Sequence, residues 1–293
     1  MSFLFAAALL AVTTSLTCAL PGTFLVLRRQ AMLVDAMSHA VLPGIVLGAL
    51  LAGSTYSPIM VFCAAAFGLV VVLGANYLQS TGLLSKDASQ GVIFPLLFSA
   101  GVIMLSTVLA NVHICEDTVL TGDLNLLALD TERLILAGRD FGPRAMWMML
   151  LILAANTVFL ALTYKVMQLV TFDRESAQAI GFPIRIVETG FMILVALTIV
   201  VAFSTAGAIL VIALMVTPAA TAILLTNSLP RVIALTLVIS VVSAIVGFVL
   251  AWHFNLATSA MMAFTDGIIF LAVMFAERCW LNRSTKAASK AKL

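Results

Sequence analysis

Residues Ala31–Ala52 read "AMLVDAMSHAVLPGIVLGALLA", directly after the basic corner "LRRQ" (27–30). Every residue is apolar or small except Asp35, Ser38 and His39. A helix of this length rises about 1.5 Å per residue and spans roughly 33 Å, enough to cross a hydrocarbon layer about 30 Å thick. The stretch therefore predicts a membrane helix entered from a basic flank, with an acid and an imidazole inside it.

The rest of the chain repeats the pattern. Apolar runs of similar length fall at roughly 4–27, 57–79, 91–110, 144–168, 184–204, 206–226, 230–252 and 258–278. The chain has 293 residues, of which 63% are hydrophobic and 10% charged. Soluble domains average about 25% charged residues, so this sequence lacks the polar surface to cover itself in water. The reading is an all-α polytopic membrane protein with about nine transmembrane helices. Only "STAG" (204–207) separates spans six and seven, so they form either a tight hairpin or one broken element, and eight crossings is the alternative. The apolar N-terminus has no basic leader and is read as a retained first helix rather than a secretory signal.

Charge distribution orients the spans. With the N-terminus outside, twelve of the fifteen basic residues fall on inner segments; only Arg133, Arg139 and Arg144 fall outside. The positive-inside rule then predicts a cytoplasmic C-terminus. The domain reading is one transmembrane unit over 1–280 and a basic, disordered cytoplasmic tail over 281–293. Cys18, Cys63, Cys115 and Cys279 form no CxxC pair and read as small apolar residues.

Two loops are long. The outer one, 111–143, carries Glu116, Asp117, Asp123, Asp130, Glu132 and Asp140, a distribution that attracts cations or is simply a solvated loop. Within it "DTERLILAG" predicts a helix lying on the membrane surface. The inner one, "TFDRESAQAIGFPIR" (171–185), predicts a short helix over 173–183. Asp173 is its N-cap, Glu175 lies in its first turn, and Gly181 with Pro183 ends it. A helix this short needs something to pack on.

Ionisable groups inside a bilayer are costly, about 2.5–3.5 kcal/mol each on insertion scales, and are functional by default. Asp35 and His39 stand at i and i+4, on one helical face one turn apart. A carboxylate and an imidazole make half of a divalent-metal site; the same pair also serves as a proton relay or a packing hydrogen bond. Four N and O ligands would suit Mn²⁺, Fe²⁺ or Zn²⁺, and a second chain across a two-fold axis would supply the missing two. Pro43 frees the carbonyl of His39, and with Ser38 is a candidate for gating or lining the path. Glu188 predicts a salt bridge near Arg185. Asp266, in "AFTDGII", is a further path candidate, in a helix or in a turn unwound at Gly267. There is no GxxxxGK[ST] loop, no HExxH and no basic-aromatic patch, so ATP hydrolysis by a P-loop, zinc proteolysis of that type and nucleic-acid binding are excluded.

"LRRQAMLVDAMSHAVLPGIVLG" (27–48) resembles the signature of the ABC-3 family of metal-ion ABC transporter permeases. "LVIALMVTPAATAILL" (210–225), "FDRESAQAIG" (172–181) and "VLTGDL" (119–124) resemble its other segments in the same order. The resemblance covers the chain to about residue 280. It implies a type II ABC importer-like fold and a pair of permeases, either two copies or a copy with a paralogue. It also implies a separate cytoplasmic ATP-binding subunit, an extracytoplasmic metal-binding protein, and residence in the bacterial inner membrane. Asp35 and His39 fall on the family's metal-path acid and histidine, and Asp173, Arg174, Glu175, Ala177 and Gly181 on its coupling segment. No cofactor is bound permanently; the metal is cargo. The proline in "HAVLPG" is similar to the manganese and iron branch. The alternative function is a proton-coupled secondary metal transporter.

Overall fold

The computed structural model describes residues 3–52, 58–108, 124, 133–136 and 139–290. Among these, nine long helices form the bundle: α1 (Phe3–Leu27), α2 (Ala31–Ala52), α3 (Pro58–Ser80), α4 (Lys86–Val108), α5 (Arg144–Phe172), α7 (Ile184–Ala206), α8 (Ala208–Leu225), α9 (Leu229–Phe254) and α10 (Thr258–Lys290). A six-residue helix, α6 (Arg174–Ala179), links α5 to α7. Among the described residues, eight helices are long and apolar enough to cross a membrane; in α4 the apolar stretch is shorter, Ala88–Met104, because Lys86 and Asp87 open the helix.

The chain between α4 and α5 differs from expectation. Arg133–Leu136 forms strand β1, paired antiparallel with β2 (Arg139–Pro143), where a surface helix was expected. "RLIL" is a short apolar run, and periodicity alone does not separate strand from helix at that length. The pairing with the following segment is what selects the strand. The acidic residues Glu116, Asp117, Asp123, Asp130 and Glu132 lie outside the described residues.

The junction of spans six and seven is a single residue. Gly207 adopts φ 80°, ψ 162°, caps α7 with its N–H on the Phe203 carbonyl, and begins α8 at once. That region of backbone space is essentially restricted to glycine. α7 and α8 pack little on each other, so they do not form a closely packed hairpin, and each is long and apolar enough to cross on its own. At the C-terminus, the helical backbone of α10 continues through Lys290, where a disordered tail was expected.

α1 runs at the centre, packed on α5, α8 and α9. Small residues allow close approach, as is usual where apolar helices meet without a solvent-driven force. A Cβ at Gly22 would collide with the Met215 carbonyl on α8. Gly44 and Gly48 press α2 onto the backbone of α3 at Ala64 and Met60, and Gly247 presses α9 onto Met262 of α10. Buried polar side chains bridge helices: Ser15 Oγ donates to the Ser240 carbonyl (2.9 Å), and Asn156 Nδ2 to Thr198 Oγ1 (2.8 Å). Large apolar side chains such as Leu151, Leu162 and Ile186 project from the outer surface, as a lipid-facing bundle requires.

Candidate metal-path residues and the α6 corner

α2 is held between α3 and α4, with α7 and α8 behind it. Its i, i+4 spacing brings His39 Nε2 to 3.4 Å from Asp35 Oδ1. Both side chains are half-buried, 27% exposed for His39 and 38% for Asp35, so the pair opens to one side of the helix rather than into the core. Two rings on α4 hold the imidazole: Phe94 at 5.1 Å and Phe98 edge-on at 5.6 Å between centroids. One turn further along α4, a Cβ at Gly101 would lie 2.7 Å from Pro43 Cδ, so the two helices meet at van der Waals limit beside the pair.

The other candidates divide. Pro43 is buried inside α2, which stays helical through it. Ser38 is fully buried and its hydroxyl donates to the Val34 carbonyl on its own helix (2.8 Å), which makes it a packing residue in this geometry. Asp266 is 1% exposed and lies on α10, which packs chiefly on α8 and α9. Its helix runs unbroken past Gly267, so the unwound turn considered from sequence is not formed. Neither carboxylate oxygen has a hydrogen bond in good geometry; Ser243 on α9 is the polar side chain beside it. The structure therefore brings Asp35 and His39 together and leaves Asp266 apart from them. Among the described residues no three His, Cys, Asp or Glu side chains converge.

The corner at α6 has the expected cap and turn, around a helix of six residues, Arg174–Ala179, rather than one over 173–183. The Asp173 carboxylate accepts from the Ser176 N–H (3.0 Å) and from the Ser176 hydroxyl. The hydroxyl first, and then the amide, hold that carboxyl below the usual carboxylate range. Ala177 is fully buried and packs with Val170 and Ile184, anchoring α6 to the ends of α5 and α7. Gly181, at φ 85°, turns the chain out of the helix. Arg174 and Glu175 remain on the exposed side.

Glu188 is not paired with Arg185. Arg174 forks onto it, Nη1 to Oε1 at 2.8 Å and Nη2 to Oε2 at 2.9 Å, and Arg28 Nη1 approaches to 3.6 Å. Arg28 also donates from Nε to Thr171 Oγ1 (3.2 Å) and stacks on Phe191. One carboxylate thus ties α6 and α7 to the corner that leads into α2. Sequence spacing misses this cluster because its members are 14 and 160 positions apart; the only local signal was an acid in the first turns of an apolar span.

A family model described as "ABC 3 transport family" matches residues 1–277. The chain belongs to the ABC 3 transport family. A manganese transport system membrane protein of Bacillus subtilis, MntD, is 39% identical over 88% of this chain and 87% of its own length. The zinc transport system membrane protein TroD of Treponema pallidum is 37% identical over 95% of this chain and 77% of its own. Among solved structures, PsaBC from Streptococcus pneumoniae, in complex with Fab, matches with a TM-score of 0.76 and 25% identity, over 93% of this chain and 91% of that one. This ABC 3 member is accordingly a multi-pass permease subunit of an ABC metal transporter, and not the subunit that hydrolyses ATP.

Proposed function

We propose that the chain is the permease of an ATP-driven importer of divalent metal, Mn²⁺ foremost and Fe²⁺ or Zn²⁺ next, in a bacterial inner membrane. An extracytoplasmic binding protein delivers the ion. Asp35 and His39 receive it on its way through, and alternating access passes it on. Oxygen and nitrogen donors suit these ions. Two donors do not fill a coordination shell, so a second permease, a copy or a paralogue, contributes the rest. Pro43 and its contact with α4 form the gate beside the pair, with Ser38 holding the helix turn. Asp266 is a secondary path candidate. A cytoplasmic ATP-binding subunit engages α6 on its exposed side at Arg174 and Glu175, with Asp173, Ala177 and Gly181 capping, anchoring and ending the helix. The twelve-to-three bias of basic residues supports an outer N-terminus and a cytoplasmic C-terminus.

The observation that carries this reading is the Asp35–His39 pair, 3.4 Å apart, half-exposed and steadied by two phenylalanines inside a membrane helix. The relatives named for manganese and zinc transport support the cargo class. Asp35→Ala and His39→Ala are expected to abolish metal accumulation while the protein still reaches the membrane at normal level. Normal uptake by both variants would remove the pair from the path. Metal uptake by this chain alone in liposomes under a pH gradient, with no ATPase present, would instead establish the proton-coupled alternative.

A further inference from the structure

A cavity of about 800 Å³ opens at the end of the bundle where α1 finishes and α7 begins, and neither Asp35 nor His39 lines it. Its walls are two helical stripes. On α3, Leu69, Val72, Leu73, Asn76 and Ser80 recur at helical spacing and run about 16 Å along the axis. On α7, Arg185, Glu188, Thr189 and Met192 form the facing stripe. Read from mouth to depth, polarity changes in the same sense on both: Ser80 and Asn76 give way to Leu73 and Leu69, and Arg185 and Glu188 give way to Met192.

The mouth is basic. Arg28, Arg174 and Arg185 line it against one carboxylate, Glu188. Arg28 and Arg174 both converge on Glu188, whereas Arg185 is exposed and has no acidic partner among the described residues. Three guanidinium groups against one carboxylate leave two positive charges in excess, which disfavours a divalent cation here. A cationic rim over an apolar shaft that reaches into the membrane span fits a molecule with an anionic head and hydrocarbon chains. Basic pockets between membrane helices bind such headgroups, each arginine near the surface contributing about fivefold in affinity.

We infer that this cavity is a binding site for an anionic phospholipid, its phosphate on Arg185 at the rim and its acyl chains along Leu69, Val72 and Leu73. The site shares Arg174 with α6 and Arg28 with the entrance to α2. A bound headgroup would compete with Glu188 for those arginines and so adjust the corner between them. The inference does not depend on which metal is carried, or on whether metal is carried at all.

The test uses the full chain in its purified transporter, exchanged into phosphatidylcholine nanodiscs containing a minority of phosphatidylglycerol. Native mass spectrometry then counts the anionic lipid that stays bound. Wild type should retain phosphatidylglycerol in preference to phosphatidylcholine. Arg185→Gln, a change at an exposed and unpaired side chain that leaves the fold intact, should lower retention about fivefold. Leu73→Trp, which fills the shaft without touching the charges, should lower it as well. Equal retention by wild type and Arg185→Gln overturns the site. Retention unchanged by Leu73→Trp but displaced by excess inorganic phosphate would show a free-anion site and overturn the lipid assignment. Loss of the cavity's accessibility on ATPase binding, with no lipid retained, would make it a protein interface and overturn it too.

Discussion

Gly101→Ala adds one methyl group to α4 at the point where that helix crosses α2. The added Cβ would lie 2.7 Å from Pro43 Cδ and 2.9 Å from Pro43 N, while ordinary contacts begin at 3.4 Å. A proline ring inside a helix has no rotamer by which to retreat, so the helices must separate by about 1 Å at this level. Overpacking of this kind costs about 1–3 kcal/mol. Phe98 and Phe94 lie one and two turns back along α4 and hold the His39 ring, so the same displacement loosens the imidazole. A misplacement of about 1 Å in a positioned group can lower a rate about 100-fold. The matched control is Gly91→Ala, on the same helix but with nothing within 4 Å of the added Cβ. It gains roughly 0.5–1 kcal/mol from helix propensity and disturbs no contact. Metal uptake in cells, normalised to membrane-inserted protein, should fall at least tenfold for Gly101→Ala and stay at the wild-type level for Gly91→Ala. Detergent thermal stability should fall for the first by about 2–4 °C per kcal/mol. If Gly101→Ala transports and melts like Gly91→Ala, the α2–α4 contact does not position His39 and the argument fails.

Other consequences are as direct. Gly207→Ala places a side chain at φ 80°, ψ 162° between α7 and α8, and should destabilise the protein by about 1–3 kcal/mol, measured as a lowered melting temperature; an unchanged one would mean that the junction relaxes freely. Asp173→Ala should open α6, seen as faster amide exchange over 174–179 at neutral pH, while Asp173→Asn keeps an acceptor and stays closed. Because Ser176 lowers the folded-state pKa of Asp173, the ionised cap contributes fully above the ordinary carboxylate pKa of about 4 and is lost only as pH falls through the lowered value. Exchange over α6 in wild type, relative to Asp173→Asn at each pH, should therefore be flat from neutral pH down to about 5 and rise only in stronger acid. A rise already near neutral pH would contradict the assigned cap.

Much of the architecture was legible because membrane crossing is a local requirement. Each span must be long and apolar on its own, so the helices fall close to the runs read from the sequence, and α2 matches its run from Ala31 to Ala52. The α6 corner was equally readable, since capping by Asp173 and the turn at Gly181 depend on neighbours within a few residues. Where length and composition leave two outcomes open, the sequence does not choose between them. "RLIL" pairs with the strand that begins three residues on rather than lying as a helix.

The common face of Asp35 and His39 is a property of any helix carrying them at i and i+4. Sequence alone determined that shared face, the membrane class and the family. Only tertiary structure decided which carboxylate Arg28 and Arg174 share, because Glu188 reaches them across three elements. It alone decided that Pro43 meets Gly101, that Phe94 and Phe98 flank His39, and that Asp266 lies apart from the pair. Those are outcomes of how apolar helices, alike in hydrophobicity, choose partners by shape: the glycines set which faces can approach, and the few polar side chains are carried to wherever that packing leaves them.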